Sequence, residues 1–273
     1  MLLRLGIIFS IISLLALPVS AADLRQELAQ QSTLEQIVQK NKIRVGFSTF
    51  VPWAMKDKKG GYAGFEIDVA RKLGADMGVE IEFVPTKWSG IIPALLTGKF
   101  DIIIGGMGIT PERNLKVNFS DPYEFSGMSI LANRKLAKGQ VGLESFDNAE
   151  TTIVARTGTT AAAAAKRYLP QARLILFDDE GQALQELMNN RAAAMVSSQP
   201  FPEFQAIKYA DKLYLPLAGK TFTKEPIGFA IRKGDADFLN FLNNWIRVKN
   251  AEGWLQQRYD YWFTTRDWKD LVE

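Results

Sequence analysis

The spacing of apolar and polar positions divides the chain into short elements of two kinds. Val79–Val84 alternates Val, Ile and Phe with Glu80 and Glu82, the period of a strand with one wet face. Asp101–Ile104 is an apolar, β-branched run, as expected of a strand covered on both faces. Phe65, Val69 and Leu73 fall on one helical face, which predicts a helix ending near Gly74–Gly78. Before it, Leu24, Leu28, Leu34, Ile37 and Val38 suit a helical lead-in over Asp23–Lys40, Ile43–Phe47 begins the first strand, and Gly60-Gly61 reads as a hairpin tip. Ile91–Leu96 is a helix closed by Gly98, so the first third reads βαβαβ.

The pattern then recurs. Thr152–Ala155, Arg173–Phe177 and Ala193–Val196 read as strands, separated by helices over Thr159–Tyr168 and Asp179–Asn190. Ser126–Ala132 is a candidate connecting strand carrying the first hinge. Ile227–Ile231 should return the chain to the first lobe, where Phe238, Leu239, Leu242 and Ile246 continue as a packing helix. Trp254–Trp262 reads as a helical, aromatic stretch of core. The expectation is an α/β fold of two lobes, each a βα-wound sheet, joined by two crossover connections. Residues 23–124 and 228–273 form lobe one and residues 125–227 lobe two, with a ligand cleft between them.

Met1–Ala21 holds one cation, Arg4, an apolar run from Leu5 to Leu17, and the small residues of Pro18-Val19-Ser20-Ala21. That is the pattern of a secretory signal, residues 1–22, too short for the roughly 20 apolar residues of a membrane span. A soluble exported protein is expected. The 33 Lys and Arg against 30 Asp and Glu leave a net charge of only +3, without a dense basic run, so neither nucleic acid nor an anionic membrane is expected as partner. The chain has no Cys and no His, which excludes a Cys nucleophile, a Ser-His-Asp triad and a His-ligated metal. No cofactor is expected. Nucleotide binding is unsupported, because Gly106-Met107-Gly108 lacks the third glycine of a dinucleotide fingerprint.

Candidate chemistry concentrates in Lys99–Tyr123. Gly105, Gly106 and Gly108 follow the buried strand directly, leaving bare N–H groups at the rim where open α/β sheets bind ligands, and Arg113 adds a planar guanidinium. The group reads as a carboxylate clamp, with the Gly106 and Gly108 amides completing it. On these residues alone a tight turn beside a solvated arginine stays open. Thr157-Gly158-Thr159-Thr160 likewise precedes a helix, either as an anion site or as a simple threonine cap.

Gly64–Ala70, Trp88–Leu95 and Lys99–Tyr123, in this order, resemble the polar amino-acid branch of periplasmic solute-binding proteins, solute-binding family 3, over essentially the whole mature chain. The resemblance implies a type II clamshell, a monomer in the periplasm, that delivers a small solute, usually an amino acid, to an ABC permease in the inner membrane. It implies that Arg113 binds the solute's α-carboxylate with help from the backbone at Gly108. It further implies that Gly158-Thr159-Thr160 adds a carboxylate contact from lobe two, and that Phe50 and Trp88 are aromatic walls. Two positions depart from the pattern: Gly108 stands where relatives often carry a hydroxyl, and Ser198 where they usually carry an Asp that pairs with the α-ammonium. Either another acid, such as Asp178, Asp179 or Glu203, takes over, or the solute lacks that ammonium. The chain also resembles the cyclohexadienyl dehydratases of the same superfamily. That chemistry needs a general acid, and Ser198-Gln199 stands where a carboxylate would be convenient, so the expectation is a binding protein and not an enzyme. A ligand-sensing domain is the third reading.

Overall fold

The computed structural model describes residues 32–272. The expected signal segment and the start of the lead-in helix lie outside the described residues; the helix Thr33–Lys40 is its described part. β1 (Lys42–Phe47) follows, then β2 (Met55–Lys56) and β3 (Tyr62–Ala63), which pair around the Gly60-Gly61 tip. After the helix Phe65–Met77 come β4 (Glu80–Pro85), the helix Ile91–Leu96, β5 (Ile102–Ile103) and β6 (Asn118–Phe119). β7 (Glu124–Ser126) leads into β8 (Met128–Asn133), β9 (Thr152–Arg156), β10 (Arg173–Phe177), β11 (Ala194–Ser198) and β12 (Leu213–Tyr214). β13 (Glu225–Ile227) leads back to β14 (Ala230–Ile231).

These strands make two mixed sheets, ordered β4-β1-β5-β14-β6 and β10-β9-β11-β8-β12. β1 runs parallel to β4 and β5, and β9 parallel to β10 and β11, so the carboxyl ends of each set open on one side. That is where an open α/β sheet holds a ligand. The connection between sheets is the antiparallel pair β7 and β13, with Glu225 opposite Ser126 and Ile227 opposite Glu124.

One expectation changes here. The connecting strand is Glu124–Ser126 rather than Ser126–Ala132, and Met128–Asn133 is an interior strand with all six residues buried between β11 and β12. Ile130, Leu131 and Ala132 in succession are the sign of cover on both faces, and the buried Ser129 and Asn133 are hydrogen-bonded. The returning segment Ile227–Ile231 is likewise broken, because Gly228 and Phe229 separate β13 from β14.

Local chemistry accounts for the element ends. Phe65, Val69 and Leu73 turn inward from their helix, which Gly78 closes with φ 68°. Asp235 accepts the Phe238 N–H at 3.0 Å as a helix cap and the Thr33 N–H at 2.6 Å, tying the first described helix to Ala236–Ala251. In Thr160–Tyr168 the buried Ala161, Ala164 and Ala165 pack closely over Met128, Ile130 and Val196. The aromatic end of the chain packs into the core beside β1, and Trp262 donates to Asp68 at 2.7 Å.

Gly46 is the tightest point of β1: a Cβ built there lies 2.4 Å from the fully buried Phe100 ring. Gly46→Ala is therefore expected to cost about 1–3 kcal/mol through overpacking. Urea unfolding followed by circular dichroism measures this, and an unchanged midpoint would contradict the packing.

Candidate ligand-binding cleft

Where the two sheets face each other, an inner cavity of about 40 Å³ remains. Of the expected site residues, Phe50, Trp88, Gly106 and Arg113 line it from one side and Thr159, Thr160 and Ser198 from the other. Gly108 and Gly158 are not part of the lining, but their carbonyl groups orient Arg113. A cavity of about 750 Å³ lies beyond the stacked rings of Phe50 and Phe201, bounded by Leu184, Phe204 and Trp268. The larger space is mostly apolar, whereas the converging charged groups sit around the smaller one.

The glycine loop is held from below by Glu66. This wholly buried carboxyl, in the first turn of Phe65–Met77, accepts the Gly106 N–H at 2.8 Å and the Tyr123 hydroxyl at 2.8 Å. The Gly106 amide is thereby taken inside the protein instead of being open to an anion. Gly106 has φ 67° and rests on the Trp53 ring, so a glycine is needed there. Burial pushes the Glu66 pKa up to about 8, against the lowering effect of its two donors.

Arg113 sits in the short helix Pro111–Asn114, whose cap Thr110 accepts the Arg113 N–H at 3.2 Å. Its Nη1 donates to the Gly108 carbonyl at 2.8 Å and its Nη2 to the Gly158 carbonyl at 3.1 Å. The indole N–H of Trp88 donates to the same Gly158 carbonyl at 3.1 Å. The guanidinium lies 5.6 Å from the Trp88 ring, and that of Arg156 lies 5.7 Å from it. Desolvation lowers the pKa of both arginines, yet a guanidinium remains charged under such conditions.

Across the cleft, Thr159 accepts the Ala162 N–H at 3.1 Å as the cap of Thr160–Tyr168 and donates to the Arg156 carbonyl at 2.6 Å. Ser198 and Ser126 hydroxyls lie 2.7 Å apart, and Ser126 donates onward to the Gln199 carbonyl at 3.0 Å. Ser198 must then be the donor to Ser126, which leaves only its lone pairs for the cleft. The acids expected to replace an Asp there do not reach the inner cavity: Asp178 and Glu203 are exposed, and Asp179 caps Glu180–Met188.

Three charged lining residues are not among those expected from the sequence. Arg156, at the end of β9, reaches across the cleft to the Ser48 hydroxyl. Glu180 is buried, accepts from the Ser197 hydroxyl, and has its pKa pushed up to about 7 by burial while Ser197 and Arg156 pull it down. Glu225, half-buried on β13, is raised by desolvation and lowered by Thr160 and by the Arg113 charge. Each stood next to a visible signal: Arg156 before the Thr157–Thr160 turn, Glu180 after two aspartates, Glu225 before Pro226. Only the folded topology aims them at one cavity.

The sequence profile of the bacterial extracellular solute-binding proteins, family 3, matches residues 43–265, and the chain belongs to that family. The solved structure of an ancestral amino-acid-binding protein, described as a precursor of cyclohexadienyl dehydratase, is 42% identical with a TM-score of 0.78, covering 85% of this chain and 99% of that one. A putative ABC-transporter binding component from Wolinella succinogenes, complexed with lysine, is 41% identical with a TM-score of 0.79 at the same coverage. The fold is that of the two-lobed type II periplasmic binding proteins. The cyclohexadienyl dehydratase of Pseudomonas aeruginosa is 27% identical over 244 residues, 87% of this chain and 88% of that protein. The expectation that the chain is no enzyme is overturned by this relative and by the dehydratase precursor. Its physical premise, the missing acid, also falls, since the carboxyl groups of Glu180 and Glu225 line the cleft. Among the described residues no helix is long and apolar enough to cross a membrane.

Glu66 sets a pH dependence. Its carboxyl ordinarily titrates near 4.5 but near 8 when folded, so between those values the unfolded chain has released a proton that the folded chain keeps. Stability therefore falls as pH rises through that window. Glu66→Gln is expected to flatten the decline in melting temperature between about pH 5 and pH 8; an unaltered slope would contradict the assignment.

Proposed function

We propose that the chain is the extracytoplasmic binding component of an ABC importer, capturing a small carboxylate-bearing solute of the amino-acid class between its lobes. The reading includes export to the periplasm with removal of residues 1–22, action as a monomer, and delivery to a permease in the inner membrane. What carries it is Arg113: a guanidinium stacked on Trp88, pinned by two carbonyl groups, with donors left for a carboxylate in the cavity. The amino-acid-binding ancestor and the lysine-complexed component support the solute class. Phe50 and Trp88 bound the stem of the solute, and Gly108, Gly158, Thr159 and Thr160 shape its carboxylate end.

Arg113→Ala is expected to weaken the tightest solute by at least a hundredfold, since it leaves a carboxylate unpaired in a desolvated site. Calorimetry measures it, and retained affinity with a normal melting curve would refute the clamp.

One observation favours a second reading, dehydration of a carboxylated cyclohexadienol. Glu180 lines the cavity with a pKa near 7, so a large fraction keeps its proton at neutral pH. In that chemistry Glu180 gives its proton to the departing hydroxyl and the carbon–oxygen bond breaks with its electron pair leaving in water. The ring becomes aromatic as a second ring carbon releases a proton or carbon dioxide. The P. aeruginosa relative supports this class of reaction. Ultraviolet absorption of the new aromatic ring reports turnover. Glu180→Gln is expected to abolish turnover by the wild-type protein while the substrate still raises the melting temperature. Absence of wild-type turnover, or full activity of the variant, would remove this reading.

A further inference from the structure

A carboxylate alone does not account for the charges around the inner cavity. Arg113 supplies the cation for it, yet a second carboxyl group, Glu225, lines the cavity from the connecting strand. The backbone fixes its place. The Ile109 N–H donates to the Pro226 carbonyl at 2.8 Å and Gly108 bridges to Ile227, so β13 runs alongside the loop that carries Arg113. Glu225 is held by Thr160 and by Thr223, whose hydroxyl donates to it at 3.4 Å, rather than by an ion pair with Arg113.

Gly108 shows what lies between the two charges. A Cβ built there lies 3.1 Å from Glu225 Oε2, 3.5 Å from the Thr160 methyl and 3.6 Å from Arg113 Nη1, tight against the carboxylate. Glu225 and Arg113 both line the inner cavity and make it a slot with an anion on one wall and a cation on the other, and a bare Gly108 crowds neither. Such a slot suits a group carrying the opposite charges side by side, a carboxylate and an ammonium on one carbon. Ser198, at the position expected to meet an ammonium, brings lone pairs without charge. Glu180 is engaged by Ser197. We infer that Glu225 receives the α-ammonium of the solute whose carboxylate Arg113 holds, and that Gly108 keeps the space between them free. This deepens the carboxylate-capture reading and rests on it.

The test compares each solute with and without its ammonium. A thermal-shift screen of the common L-amino acids, with L-lysine first, selects the tightest, and calorimetry then measures it beside its des-amino carboxylic acid. Wild type, Glu225→Gln, Gly108→Ser and Arg113→Ala are compared, with circular dichroism to verify folding. Glu225→Gln is expected to weaken the amino acid about ten- to a hundredfold, the effect of losing a charged hydrogen-bond partner, and to leave the des-amino acid within about threefold. Gly108→Ser is expected to narrow the same discrimination by displacing Glu225, which keeps the test valid if Glu225→Gln fails to fold. Equal losses for both ligands, no loss for either, or a wild type that binds no amino acid or binds both ligands equally would overturn the assignment. Failure of the carboxylate clamp has a different signature: Arg113→Ala would leave both ligands bound while the Glu225 comparison could still be read.

Discussion

The carbonyl of Gly158 is the contact on which the cleft depends. It belongs to the loop that follows β9 and accepts two donors from the opposite lobe, the Trp88 indole and the Arg113 guanidinium. A buried arginine must have its donors satisfied or it destabilises the site. Here part of that demand is met by a backbone group of the other lobe, so the contact that orients Arg113 also joins the two lobes. Arg156 makes the reciprocal reach to Ser48. Both guanidinium groups lie near the electron-rich Trp88 ring, at 5.6 and 5.7 Å from its centre.

That contact has to be held in register by structure that never touches a solute. Glu66 performs this on the Arg113 side, since it joins the helix Phe65–Met77, the glycine loop and Tyr123 through one buried carboxyl. A carboxyl kept protonated by burial can hold hydrogen bonds without presenting a charge to the cavity. The antiparallel β7 and β13 pair does the equivalent for the hinge, fixing Ser126 and Glu225 across from each other. Within Gly64–Ala70, Glu66 is therefore a support for the glycine loop.

Much of this was legible in the amino-acid order. The doubled βα pattern, the carboxyl-end position of Gly105–Gly108 and the aromatic pair Phe50 and Trp88 follow from periodicity and resemblance, because each is a local signal. What escaped depended on distance along the chain. Glu180 reads as one acid in a helix start, and nothing local says that Ser197, in β11, will bury it. Glu225 reads as a charge before a proline until β13 is laid against the Arg113 loop. The extent of the connecting strand is hidden for a similar reason: Met128–Asn133 is apolar enough to be a connector or an interior strand, and its pairing with β11 and β12 decides. The absence of an acid at Ser198 is visible in the sequence, but one position does not decide the enzymatic chemistry, because the fold brings carboxyl groups from two others, Glu180 and Glu225.

The central claim is that a solute carboxylate is gripped at Arg113 as the lobes meet at Gly158. A crystal structure of the protein with its tightest solute tests it most directly. The carboxylate is expected within hydrogen-bond distance of the Arg113 guanidinium, with the Trp88 indole still donating to the Gly158 carbonyl. A solute whose carboxylate lies beyond the Phe50 and Phe201 rings, in the larger outer cavity and away from Arg113, would contradict it.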